Sequence, residues 1–227
     1  MQKQAVVIYG PPGSGKGTQA DLLARKYNFV HFDTGRYIEA VVRDPALQKN
    51  PVIRRERKLF DTGILCTPKW VLKIVRDATK RVFDAGYGIV YSGSPRTLFE
   101  ALGDKGQRGL FAALIGLYGK KNITVLKLCI KSQTSIKRNS NRLVCSVCGL
   151  PILAASKLRN CSFCSGPARR RTLDKPEVIK VRLKEYEERT LPLVKEAKKL
   201  SIKVKDVNGE PAPYKVHAEI IKKIGLK

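Results

Sequence analysis

The chain has 227 residues, 45 of them Lys or Arg against 19 Asp or Glu, which gives a formal net charge of +26 and a pI near 10.1. With 43% hydrophobic and 28% charged residues, it has the composition of a soluble globular protein, long enough for one sizeable core or a core with small inserts. Its longest apolar run, Leu110 to Tyr118, is too short to cross a bilayer.

The N-terminus enters a strand at once, AVVIY at 5–9, with no signal-peptide pattern, as expected of a cytoplasmic protein. A helix comes next over Gln19–Tyr27, its apolar stripe made by Ala20, Leu23, Ala24 and Tyr27. NFVHF (28–32) reads as a second strand. A helix begins at Gly35–Arg43, and Pro45 and Pro51 break the stretch after it. Pro68 to Gly86 carries strong helical signals: proline at the start, glycine at the stop, and Val71, Ile74, Val75, Ala78 and Val82 on one face. GIVYS (88–92) and ITVLKLCI (123–130) are the third and fourth strands, and Gln133–Arg142 is helical. Residues 143–172 lose all periodicity. A long helix then runs from 174 to 200, with Asp174 as its cap, Pro176 in its first turn and a kink at Pro192. SIKVKDV (201–207) is the fifth strand, NGEP a turn, and Tyr214–Ile224 the last helix. Alternating strand and helix imply a parallel α/β sheet. Cys66 and Cys129 stand alone in apolar surroundings and read as small core residues.

GPPGSGKGT, Gly10 to Thr18, lies between the first strand and the first helix. Its glycines let backbone N–H groups converge on a phosphate, the helix N-terminus adds positive charge, and Lys16 adds a full one. This is a Walker A form with Gly17 where Ser or Thr is usual, and Thr18 directly after it. The chain therefore binds a nucleoside triphosphate. Cys145-x2-Cys148 and Cys161-x2-Cys164, twelve residues apart, read as a four-thiolate metal site. Zinc is favoured, with iron in a rubredoxin-like site as the minor alternative. With no open position, the metal would be structural.

The longer string GPPGSGKGTQA resembles the adenylate kinase family of nucleoside monophosphate kinases. So, in order, do DTGRY, DTGILCT, GSPRT, KRNSNRLVC, RLKEYEERTLPLV and VNGEP, along nearly the whole chain. The resemblance implies a P-loop fold with a five-stranded parallel sheet flanked by helices. Residues 1–32, 67–140 and 175–227 would form the core, 33–66 a segment that binds the acceptor monophosphate, and 141–174 a zinc-stapled lid. ATP would lie on Gly13, Ser14, Gly15, Lys16, Gly17 and Thr18, with Arg138 stacked on its base near Pro211. Lys16, Arg96, Arg142, Arg171 and Arg182 would be catalytic, gathering the phosphates. The acceptor would meet Thr34, Gly35, Arg36, Glu39, Cys66, Gly93, Arg96, Glu100, Arg171 and Arg182. Magnesium with ATP is implied. A monomer is expected, because the lid and the acceptor-binding segment must swing freely and no apolar surface helix stands out.

The acceptor side departs from the family's pattern. Glu39 stands where the family has an arginine, Arg36 where it has an aspartate, and Ser92 replaces the aspartate that helps hold magnesium. Leu173 replaces one aspartate of the lid. Glu100 replaces the glutamine that reads the adenine edge. A carboxylate only accepts, which suits guanine better. The reaction implied is transfer of the γ-phosphoryl of ATP to AMP, with GMP as an alternative acceptor. A basic zinc-bearing nucleotide- or RNA-binding protein with a decayed kinase site is the second reading, motivated by the charge.

Overall fold

A computed structural model describes residues 3–152, 156–170 and 172–226. Strands β1 (Ala5–Tyr9), β2 (Phe29–Phe32), β3 (Gly88–Tyr91), β4 (Ile123–Cys129) and β8 (Lys203–Asn208) form one sheet in the order β2-β3-β1-β4-β8, every pair parallel. The central strands are apolar on both faces, as a parallel sheet covered by helices requires. Ala5, Val7 and Tyr9 face one hydrophobic cluster with Ile89, Tyr91, Leu114 and Ile123. Val6 and Ile8 face another with Leu23, Leu126, Leu128 and Ile220.

The helices are α1 (Lys16–Lys26), α2 (Thr34–Arg43), α3 (Pro51–Thr62), α4 (Pro68–Asp84), α5 (Leu98–Leu102), α6 (Leu110–Tyr118), α7 (Ser132–Ser140), α8 (Pro176–Glu185), α9 (Leu193–Lys199) and α10 (Pro213–Ile224). Between α7 and α8 lies a small antiparallel sheet, β6-β5-β7, of β5 (Leu143–Cys145), β6 (Pro151–Ile152) and β7 (Ala168–Arg169). Successive strands are laid down on either side of β1, so the strand order reverses there. Ligands of open α/β sheets bind in the crevice beyond the carboxyl ends of such strands.

Three expectations are corrected. Pro51 does not break a helix but opens one: it sits in the first turn of α3, capped by Asn50, whose side chain accepts from Val52 N at 2.9 Å. Asp174 does not cap α8. Lys175 is the cap, and the Asp174 carboxylate is taken by two arginines. Cys129 is exposed at the end of β4, whereas Cys66 is buried. The apolar run 110–118 is helix α6, with Leu110, Phe111, Leu114 and Tyr118 buried. Ahead of Pro192, where the sequence predicts a kink, the chain forms a π turn at Tyr186–Thr190, closed by Leu191 N on Tyr186 O at 2.7 Å. Among the described residues no helix is long and apolar enough to cross a membrane.

Candidate active site

A cleft of about 610 Å³ opens at the carboxyl ends of β1 and β3, within the usual range for a small-molecule site. The phosphate loop forms its floor. Gly13 (φ +78°) and Gly15 (φ +90°) occupy left-handed backbone, and a Cβ on Gly13 would lie 2.7 Å from Asn139 Nδ2. Ser135 Oγ donates to Pro12 O at 2.6 Å, tying α7 under the loop. Gly15 is the cap of α1, so the N-terminus of that helix points into the cleft over Lys16, Gly17 and Thr18. Ser14 Oγ is buried and has no protein partner among the described residues.

Lys16 folds back onto the loop, donating from Nζ to Gly10 O at 2.7 Å and Pro11 O at 2.9 Å. Burial pushes its pKa well below the usual lysine value, and the charges of Arg96, Arg182 and Arg142 push it further. Four cationic side chains thus converge at the cleft floor. The partial compensation is Asp174, which receives both Arg142 and Arg182, the latter at 3.5 Å. Arg182 also donates to Leu173 O at 3.0 Å. Arg96 is held at the turn after β3 by Nε donating to Gly93 O at 2.7 Å. Such a cluster is costly alone and favourable around a polyanion. Arg171 lies outside the described residues.

Arg138 does not line the cleft. Its guanidinium donates to Gly209 O at 2.8 Å and Glu210 O at 2.7 Å, next in sequence to Pro211, which fixes the half-buried group.

On the acceptor side, Thr34, Gly35, Arg36, Glu39, Cys66, Gly93 and Glu100 all line the cleft. Thr34 Oγ1 is buried and has no protein partner among the described residues. Arg36 reaches across to the small sheet, donating to Gly149 O at 2.8 Å while pairing with Asp33 at 3.5 Å. Glu39 pairs with Arg43 at 3.7 Å, and Arg43 with Asp61 at 2.8 Å. Arg43 also lines the cleft. Sequence reasoning missed it, though its spacing of four from Glu39 puts the two on one helix face. Burial pushes the Cys66 thiol up to about 12, so it is no nucleophile.

Glu100 is buried at the first turn of α5. It accepts from Arg96 N at 2.8 Å and from Thr97 Oγ1 at 3.1 Å, while Thr97 Oγ1 accepts from Glu100 N at 3.2 Å, a reciprocal cap written as Thr-x-x-Glu. Burial raises its carboxyl to about 7, against the opposing pull of the Arg96 N–H and charge, the Thr97 hydroxyl and Arg189. Sequence reasoning also missed the hydrogen-bonded chain Asp21–His31–Ser92, whose two ends line the cleft.

The four cysteines of the small sheet meet. Their sulfurs lie within 4.8 Å of one another, with Cys145–Cys164 at 3.4 Å and Cys148–Cys161 at 3.6 Å. Four ligands about 2.3 Å from one zinc ion stand roughly 3.8 Å apart, so the set fits. Burial would raise the Cys145 thiol, but N–H groups of Cys148 and Val147 on its sulfur outweigh it and lower its pKa, whereas the neighbouring sulfurs push that of Cys148 up. At Cys145 this favours the thiolate that a metal needs.

The adenylate kinase family model matches residues 8–202. The chain is 32% identical to an adenylate kinase of Chlamydia pneumoniae over 195 residues, 86% of this chain and 85% of that protein. It is 30% identical to one of Acetivibrio thermocellus over 196 residues, 83% of each. It is 28% identical to one of Caldicellulosiruptor saccharolyticus over 226 residues, 98% of this chain and 99% of that protein. A phosphate loop at the strand-order reversal, a cleft lined by cations and a match that runs through both agree, and the chain belongs to the adenylate kinase family of phosphotransferases.

Proposed function

We propose that the protein transfers the γ-phosphoryl of ATP reversibly to AMP. The carrying observation is the convergence of Lys16, Arg96, Arg142 and Arg182 on the phosphate loop in a cleft with room for an acceptor beside it. Phosphoryl transfer needs little covalent help from the protein. It needs two nucleotides held in line and charge on the migrating group neutralised. Backbone N–H groups of Gly13 to Thr18 would cradle the donor, and Arg138 would pack on its base. Arg96 would hold the acceptor phosphate, and Arg142, Arg171 and Arg182 would close on the moving group. Thr18, with the phosphates, would hold magnesium, which supplies further neutralisation of the phosphate oxygens when bound. Residues 33–66 and 141–174 would close over the core of 1–32, 67–140 and 175–227. The Arg36–Gly149 hydrogen bond is a contact such closure would make. Closure excludes water from the reacting phosphate.

Glu100 bears on the acceptor base. As a neutral acid it offers one donor and one acceptor, as an amide does, which suits adenine. As a carboxylate it only accepts, which suits guanine. With its pKa raised to about 7, the preference for AMP over GMP should fall as pH rises through that value, and Glu100→Gln should remove the dependence. Because the folded-state pKa lies above the ordinary glutamate value of 4.5, the native state binds the extra proton. The wild type should therefore lose stability relative to Glu100→Gln as pH rises from 4.5 through about 7, and level off above that window. Denaturant unfolding measured on either side of the window checks this. A selectivity that is flat with pH would remove Glu100 from the base site.

The test of the whole reading is a coupled assay with ATP and magnesium against AMP, GMP, CMP and UMP in turn. Turnover with AMP is expected. ATP binding without turnover on any monophosphate would overturn the reading.

A further inference from the structure

His31 stands on β2 with its side chain 8% exposed. Its Nδ1 is 2.6 Å from Asp21 Oδ1, and its Nε2 is 2.8 Å from Ser92 Oγ. The two ends of this chain line the cleft, while His31 joins them from behind. Both ends lie against the phosphate loop. Asp21 is three residues beyond Thr18 on α1, so the two share a helix face. Ser92 comes directly after Tyr91, which is in register with Val7 of β1, and so stands level with Ile8, two residues before the loop begins.

The direction of the protons is set by the donors available. Burial opposes ionisation of Asp21, but the His31 hydrogen bond and the Arg36 and Arg25 charges hold its carboxyl below the ordinary range; as a carboxylate it can only accept, so Nδ1 donates to it. When the ring is neutral, that leaves Nε2 as an acceptor. Ser92 has one hydrogen, and donates it to Nε2. Oγ then presents only lone pairs to the cleft. A serine without this arrangement would be free to turn its hydrogen toward a phosphate instead.

We propose that Asp21 and His31 make Ser92 an obligate hydrogen-bond acceptor for a water carried by the magnesium of bound ATP. Magnesium keeps several of its waters, each a donor that needs an acceptor on the cleft wall. Ser92 Oγ supplies one beside the face of α1 that carries Thr18. His31 and Asp21 are positioning residues, acting through Ser92. The inference rests on the proposed binding of magnesium and ATP at the phosphate loop.

Asp21→Asn tests it with almost no change of shape. An amide can donate to Nδ1, which reverses the ring tautomer and turns Ser92 into a donor. Two readouts need no turnover. The chain has only two histidines, so the ring nitrogens of His31 can be assigned by nitrogen NMR against His31→Gln. At mildly alkaline pH the wild type should show Nδ1–H with a bare Nε2, and Asp21→Asn the reverse. Calorimetry of ATP binding, with magnesium and with excess chelator, reads the consequence. Asp21→Asn and Ser92→Ala should each weaken binding about tenfold with magnesium and leave it unchanged in chelator. The double variant should be no weaker than either single, and Ser92→Asp should bind as the wild type does. A wild-type Nε2–H, an equal loss with and without magnesium, additive losses or no loss would each overturn the proposal. Failure of the wild type to bind ATP would overturn both this and the proposed reaction. ATP binding without acceptor turnover would count against the reaction alone.

Discussion

Lys16→Ala is expected to lower turnover by about 10³-fold or more, the scale seen when a charge that stabilises a transferring phosphoryl group is removed. The same change should not destabilise the ligand-free protein. Lys16 is bonded to two carbonyls of its own loop, in a field set by burial and then by Arg96, Arg182 and Arg142, and its pKa is well below 10.5 in consequence. A lysine whose folded pKa is lowered binds fewer protons in the native than in the unfolded state. It therefore costs stability at pH values below 10.5, and the cost fades as pH climbs from the folded value toward 10.5. Without nucleotide, the variant should melt at or above the wild-type temperature. With saturating ATP the order should reverse, because only the wild type gains strongly from a polyanion bound among four cations. A variant that melts well below wild type without nucleotide would show that Lys16 serves the fold rather than the phosphates.

Loss of the metal should be nearly as damaging to activity, by another route. The small sheet of β5, β6 and β7 has a core of Cys145, Ile152 and Cys161, with Leu143 and Ala168 against it. Among the described residues, two aliphatic side chains and one alanine offset little of the backbone entropy of ordering some thirty residues at about 1–2 kcal/mol each. A metal held by the four cysteines would offset more of it, since structural zinc contributes on the order of 10 kcal/mol or more in small domains. One zinc per chain is expected by elemental analysis. Cys161→Ser, with its sulfur buried, should abolish it. The main sheet, with its own two hydrophobic clusters, should stay folded. Limited proteolysis should then cut within residues 143–170 while the rest resists. Turnover should fall about a hundredfold or more, because Arg142, Asp174 and Arg182 meet at the base of that segment. A metal-free Cys161→Ser protein with wild-type turnover and an intact segment would refute this.

Much of the architecture is legible in the chain because its signals are local. Pro68 and Gly86 bracket α4, and GPPGSGKGT carries its own backbone geometry. The cysteine spacing names a metal site without any knowledge of the fold. The misreadings share a cause too. Pro51 reads as a breaker, because nothing local says whether a proline ends one helix or opens the next. Asn50, two residues before Val52, is the cap that settles it. Asp174 looks like a cap for the same reason that it serves as an anchor. It is a short carboxylate at a helix start, and only the approach of Arg142 from 32 residues away decides between the two.

Residue type and spacing along single elements suffice for the parallel α/β order, the phosphate loop and the four-thiolate set, while Arg96, Arg142 and Arg182 are picked out by the resemblance of their local motifs to the family. Which charges meet is a matter of packing between elements. Packing put Arg36 on Gly149 and Arg43 on the cleft wall, turned Glu100 into a buried cap with a raised pKa, and joined Asp21, His31 and Ser92 from three elements into one hydrogen-bonded chain. Those contacts span 61 residues between His31 and Ser92 and 113 between Arg36 and Gly149. Burial, proton direction and charge pairing are set by neighbours across such distances, and no local pattern encodes them.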